Sequence, residues 1–137
     1  RGIKRGNPQA ECWLLPLSDG GEGSTQALVH ATAGTLHSAE TVDAIGRPIT
    51  AQFGFLGNNH ASCILHTAVV ELASASGLER VSPADRNALV ASTFGTGLLI
   101  RAAIDAGADC IVLGLGGRIR GLRRLLFLRK PSWGGAC

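Results

Sequence analysis

The chain has 137 residues, 45% of them hydrophobic, 17% charged and 19 of them glycine, which excludes a disordered segment and, because the glycines have no three-residue period, a collagen repeat. No apolar run approaches the ~20 residues of a bilayer-spanning helix, so no membrane partner is expected. The formal charge of +3 joins two unlike parts: residues 1–117 hold all 10 acids and 7 of the 13 Lys+Arg, a net of −3, while residues 118–137 hold the other 6 cations and no acid, so the body presents no basic face for nucleic acid.

Arg1 to Gly6 reads as the last turn of a helix with basic residues and a glycine stop, and the natural start is expected to lie before Arg1. After Asn7-Pro8, Cys12–Leu17 is a nearly continuous apolar run, the pattern of a strand buried on both faces, and it stops at Ser18-Asp19-Gly20-Gly21-Glu22-Gly23. Ala27, Leu28 and Ala31 then fall at helical spacing before Gly34. His37–Ile45, Ile49–Leu56 and Ala61–His66 read as short antiparallel strands separated by Gly46-Arg47-Pro48 and Gly57-Asn58-Asn59. Val70–Ser76 predicts a short helix ending at Gly77, and Ser82-Pro83-Ala84-Asp85 has the signature of a second helix start. Leu98, Leu99, Ala102, Ala103 and Ala106 mark the clearest helix, closed by Gly107, and Asp109–Leu115 is a second buried strand running into Gly116-Gly117.

The fold class is therefore α/β: part of a Rossmann-like parallel sheet with an antiparallel β segment. Cys12, Cys63, Cys110 and Cys137 have neither zinc-ligand spacing nor the density of a disulfide scaffold, and they read as reduced thiols. No secretory signal is legible, and the expected location is cytoplasmic. His30, His37, His60 and His66 form no ligand spacing.

Three loops, at residues 18–23, 92–97 and 114–117, are rich in Gly, Ser and Thr. Such loops let backbone N–H groups approach an anion, and ligands of open α/β sheets lie beyond the carboxyl ends of the strands. Each loop taken alone also serves simply to reverse the chain, and none is a Walker A loop. Asp19 and Glu22 suit metal coordination or orientation of a hydroxyl nucleophile, and equally the capping of a helix. Glu71 divides in the same way between helix cap and active-site acid.

Five segments carry a family resemblance. Leu14 to Ser24 resembles the glycine-rich Asp-Gly-Gly-Glu-Gly segment of bacterial-type glycerate kinases (glycerate 2-kinases). Thr41–Ile49 is similar to a turn of that family, Val70–Glu79 to its Ile-Glu-Met-Ala-Ala-Ala-Ser-Gly-Leu-Glu stretch, Arg86–Leu89 with Thr93–Gly97 to its Thr-Tyr-Gly-Thr-Gly region, and Ile111–Gly117 to a strand and loop. The resemblance covers residues 1–117, a partial kinase domain of about a third of a full member, and implies a fragment of a two-domain enzyme with its active site in the cleft. It implies phosphoryl transfer from ATP to a hydroxyl of D-glycerate with Mg²⁺, Asp19, Glu22 and Glu71 as catalytic candidates, and Gly20, Gly21, Gly23, Thr93, Gly95, Thr96, Gly97, Gly116 and Gly117 near phosphate or substrate. The oligomeric state stays open.

The family's lysine-and-serine motif has no counterpart here, and its Asp-containing continuation after Gly117 is replaced by Arg118-Ile119-Arg120-Gly121-Leu122-Arg123-Arg124. The phosphate and substrate sites are accordingly expected to be incomplete. The alternative class is a non-enzymatic α/β fragment that binds a small anion or nucleotide through its glycine loops. The abrupt basic tail, residues 118–137, is what a reading-frame slip produces; the competing expectation is an amphipathic helix with Ile119, Leu122, Leu125, Leu126 and Leu128 on its apolar side.

Overall fold

The computed structural model describes residues 2–11, 20–57, 66–116 and 125–129. These form α1 (Gly2–Gly6), α2 (Ser24–Ala31), β1 (Thr35–Val42), β2 (Pro48–Phe55), β3 (Thr67–Glu71), α3 (Leu72–Ser76), two 3-10 turns (Leu78–Arg80 and Pro83–Asp85), α4 (Phe94–Asp105), β4 (Cys110–Gly114) and β5 (Leu125–Arg129). The strands lie in one sheet in the order β1-β2-β3-β4-β5. β1 and β2 pair antiparallel from Thr35↔Phe55 to Val42↔Pro48. β2 and β3 are also antiparallel. β3 and β4 are parallel, from Thr67↔Cys110 to Glu71↔Gly114, joined by a crossover through α3 and α4.

The β1–β2 reversal is built around Asp43, which is 2% exposed. Its Oδ1 accepts the amides of Ile45 (3.0 Å) and Arg47 (2.9 Å), and its Oδ2 accepts Arg47 Nε at 2.7 Å. Burial raises this carboxyl's pKa, but the hydrogen bonds from Arg47 and Ile45 outweigh burial and hold it below the ordinary value. The same guanidinium reaches onward to the Arg80 carbonyl at 3.0 Å and to Asp85 at 3.5 Å, tying the hairpin to both 3-10 turns.

Helices cover both sheet faces because successive β2 side chains point opposite ways. On one face Ala51, Phe53 and Phe55 form the main core with Ala68, Val70, Leu99, Ala103 and Leu113. On the other, Gly54 receives Val29 and the methyl of Thr25 from α2. His37 and His66 stack on Phe53 and Phe55, with centroids 5.5 and 4.1 Å apart, so these two histidines serve packing.

Several elements differ from the sequence-based expectation. Val70 and Glu71 are strand rather than helix, since pairing with Leu113 and Gly114 outweighs the local pattern. The third strand is Thr67–Glu71; residues 61–65 of the expected segment lie outside the described residues. At Ser82 there is only a 3-10 turn: Ser82 Oγ donates to Asp85 Oδ2 instead of capping a helix, and Arg86 turns back to the Val81 and Leu78 carbonyls. In the tail, Leu125–Arg129 is a strand antiparallel to β4, not a helix. Cys12–Leu17 and the rest of the tail lie outside the described residues. Cys110 is a free thiol. Among the described residues no helix is long and apolar enough to cross a membrane.

Among the described residues, β5 is the strand that covers the outer edge of β4. Deleting residues 118–137 should therefore turn β4 into an open edge, lower the melting temperature by several degrees and promote concentration-dependent self-association on size exclusion. An unchanged melting temperature with a monomer at every concentration would show that β5 contributes nothing.

Candidate functional site

The parallel pairing sets Glu71 level with Gly114 at the carboxyl ends of β3 and β4, and the glycine loops gather at this end of the sheet. A Cβ on Gly114 would lie 2.7 Å from the Gly20 carbonyl oxygen, and one on Gly116 would lie 3.5 Å from Gly21 Cα. The loop before α2 and the loop after β4 are thus pressed backbone to backbone, an approach closed to any residue with a side chain at 114. From the opposite face α4 brings Thr96, whose Oγ1 meets Ser76 Oγ at 2.8 Å and the Leu72 carbonyl at 3.4 Å. Gly95 sits against β1, where a Cβ would be 1.8 Å from the Val42 carbonyl, and its own carbonyl accepts Thr41 Oγ1 at 2.7 Å.

Glu71 joins these parts. It is 3% exposed, and its Oε1 and Oε2 accept the amides of Gly23 (3.1 Å) and Thr25 (3.3 Å) at the start of α2. No side chain of α2 caps its own N-terminus, so an acid 46 to 48 positions away in sequence takes that place. Burial pushes the Glu71 carboxyl above its ordinary range; the amides of Thr25, Ser24 and Gly23 work against that shift, and the nearby Glu22 adds to it. Where β3 gives way to α3, Ser74 Oγ accepts the Gln52 amide at 3.1 Å and donates to the Gln52 carbonyl at 3.0 Å, continuing the β2 ladder with a side chain.

Between the start of α2, the outer face of the β1–β2 hairpin and the turn after α3 lies a cavity of about 520 Å³ whose lining includes Glu22, Thr25, Gln52, Glu71, Glu79 and Arg80. The carboxyls of Glu22 and Glu79 are hydrogen-bonded to each other; this and the Glu79 charge raise the pKa of Glu22, with slight burial adding and Arg80 opposing. Thr25 is 2% exposed, and its Oγ1 is buried with no hydrogen-bond partner.

The structure thus brings Gly20, Gly21, Glu22, Gly23, Glu71 and Gly116 together and sets Gly95 and Thr96 beneath them in packing contacts. Thr93 and Gly97 are exposed at the start of α4 and do not line the cavity. Asp19 and Gly117 lie outside the described residues. Sequence reasoning missed Thr25, Glu79 and Arg80. Thr25 could have been found: it sits four residues before Val29 on the buried side of α2, a polar group at an apolar helical position.

The family model of the glycerate kinase family matches residues 1–119. The chain is 44% identical over 117 residues to a glycerate kinase of Bacillus subtilis, covering 85% of this chain and 29% of that protein. It is 37% identical to the glycerate 2-kinase of Escherichia coli, with the same coverage. A crystal structure of a candidate glycerate kinase 2 from Salmonella typhimurium superposes with a TM-score of 0.65 at 42% identity, over 85% of this chain and 30% of that one. The chain therefore spans under a third of the length of these relatives.

Glu71→Ala would leave two amides at the start of α2 without their acceptor and is expected to cost about 1–3 kcal/mol, seen as a lower denaturation midpoint at constant m. Because the folded pKa of Glu71 is raised, its favourable contribution is complete below the unfolded pKa and is lost as pH rises through the folded value. The stability of the parent relative to Glu71→Gln should accordingly fall across that window and level off above it. A pH-independent difference would show that the carboxyl is not perturbed.

Proposed function

Because the chain belongs to the glycerate kinase family, we propose that it forms part of an ATP-dependent kinase that transfers the γ-phosphoryl group of ATP to a hydroxyl of D-glycerate. The observation that carries this reading is the gathering of Gly20–Gly23, Glu71 and Gly114–Gly116 at the carboxyl ends of two parallel strands, the place where open α/β sheets hold ligands. In the reaction the glycerate hydroxyl oxygen bonds to the γ-phosphorus, the bond to the β-phosphate oxygen breaks to release ADP, and the hydroxyl proton passes to a base. Positioning and electrostatic stabilisation supply most of the rate in such transfers.

We assign Glu22, exposed beside the cavity, and Asp19 to orienting the attacking hydroxyl and receiving its proton. Glu71 has both oxygens engaged by α2 amides, so we give it a positioning role: it fixes the glycine loop against β3. In the 92–97 loop, Thr96 and Gly95 are committed to packing, which leaves Thr93 and Gly97 as the members able to meet phosphate.

The fit for magnesium is poor among the described residues. No group of three or more His, Cys, Asp or Glu could hold a metal ion there. Glu71 is occupied by amides, and Glu22 with Glu79 alone does not make up a ligand set. No step is therefore routed through the metal.

Incubating the chain with ATP, Mg²⁺ and D-glycerate tests whether this part of the kinase turns over by itself despite its incomplete sites: glycerate-dependent ADP above a no-protein blank supports the kinase reading. Saturable binding without ADP would instead make the chain a non-enzymatic binding module. In a full-length relative, alanine at the position matching Asp19 should lower kcat/KM by about 10²-fold or more at a nearly unchanged melting temperature. A fall in melting temperature with turnover intact would make that acid structural.

A further inference from the structure

β1 stands at one end of the sheet, and among the described residues β2 is the strand that pairs with it. Where the hairpin closes, the Asp43 N–H donates to the Arg47 carbonyl at 2.9 Å, and the register runs on from there to Thr35↔Phe55 without a bulge. Main-chain groups of an antiparallel strand alternate sides, so Thr35, His37, Ala39 and Thr41 bond to β2, while Leu36, Ser38 and Glu40 turn their N–H and C=O groups away from the sheet. Gln52 of β2 obeys the same alternation, since its amide and carbonyl face the other way and meet Ser74. The Val42 carbonyl also points outward, but there α4 closes the edge: a Cβ on Gly95 would lie 1.8 Å from it. At the other end the Gly34 N–H turns back to the Val29 carbonyl of α2 at 2.8 Å. The open edge therefore runs from Thr35 to Thr41 and is centred on Ser38.

Native strand edges are usually guarded by lysine, proline, a bulge or short length. β1 is eight residues long and has no lysine, proline or bulge. Apolar side chains flank it instead. Leu36 is 44% exposed on the strand itself, and the loop before α4, fastened at this edge by Ser92 N–H to the Ala44 carbonyl at 2.8 Å, carries Leu89, Val90 and Phe94 at 95%, 61% and 64% exposed. Such a cluster is surface that association removes from water.

A second copy of the chain fits this edge. A two-fold axis through Ser38 pairs the whole open edge with itself: Thr35 meets Thr41, Leu36 meets Glu40 and His37 meets Ala39 of the other copy, each pair on one face of the sheet. Sliding the strands to put Ala39 on the axis would need the outward groups of Val42, which α4 has closed. Sliding them the other way leaves part of the edge unpaired. Charge favours the same register, because Glu40 is the one carboxylate of β1 and the two copies of it stand about 13 Å apart, beyond a Debye length of about 8 Å.

We infer that the chain forms a closed two-fold dimer by antiparallel pairing of β1 with β1 of a second copy, on the order of six main-chain hydrogen bonds joining Leu36, Ser38 and Glu40 across the axis. The loop bearing Leu89, Val90 and Phe94 then faces the turn at residues 32–34 of the other copy. Ser38 also lines the cavity beside α2, so one face of the joined sheet carries both cavities, one on either side of the axis.

Sedimentation equilibrium of the 137-residue chain should show association that stops at two copies. Hydrogen exchange at the Leu36, Ser38 and Glu40 amides should slow as concentration rises, while the His37 and Ala39 amides, already bonded to β2, stay unchanged. Leu36→Glu sets a carboxylate against Glu40 of the other copy at an exposed position and should weaken the dimer about tenfold with the monomer's melting temperature unchanged. Adding Glu40→Lys to Leu36→Glu restores opposite charges across the axis and should recover most of that loss. A monomer at every concentration overturns the dimer. A dimer indifferent to Leu36→Glu, with the Leu36, Ser38 and Glu40 amides unprotected, overturns the β1 contact, and growth past two copies overturns the two-fold closure.

Discussion

The carboxylate of Glu71, buried where β3 ends, holds the amides that open α2, and the arrangement of the site follows from that contact. Without an acceptor at that point α2 would begin with orphaned donors inside the protein, and the loop before it would have no fixed path. With the acceptor in place, Gly20 and Gly21 are laid along the loop that leaves β4. The parallel register makes this geometry available, because it puts Gly114 beside Glu71 and leaves room on that side for a neighbouring backbone. A raised carboxyl pKa is the electrostatic cost of burying the acid there.

The opposite face is organised by hydroxyls and by one missing side chain. Gly95 allows the first turn of α4 to touch the Val42 carbonyl, and Thr41 then bonds the Gly95 carbonyl. Thr96 joins the same turn to α3 through Ser76. A loop whose composition suits phosphate is here spent largely on docking a helix, which shows how the same residues can serve either purpose until their neighbours are known.

The hairpin, α2, α4 and β4 were legible from period and punctuation, because each has a strong local pattern and a glycine or proline boundary. Val70 and Glu71 were misread as helix because their strand character comes from Leu113 and Gly114, some forty residues away. The Ser82 turn had the residues of a helix start but no continuation, since the Arg86 side chain bonds backward to the Val81 and Leu78 carbonyls. Within the site, the glycine motifs announced themselves by composition. The partnership of Glu71 with Gly23 and Thr25 could not, because no local spacing encodes a cap supplied from 46 positions away. Glu79 and Arg80 were hidden for the same reason: their place beside Glu22 depends on the hairpin holding their turn.

That hold comes from Arg47, a side chain 46% exposed that spans from buried Asp43 to the Arg80 carbonyl and half-exposed Asp85. Its inner contact lies in a poorly solvated turn, whereas its outer contacts face water and counterions, where a charge pair is weakened within a Debye length of about 8 Å at physiological ionic strength. One wall of the cavity is therefore fastened by main-chain and buried carboxylate bonds, and the facing wall by an arginine whose grip depends on the surrounding electrolyte. Added salt weakens the outer fastening before it reaches the inner one, so the two walls differ in how far their hold depends on the medium.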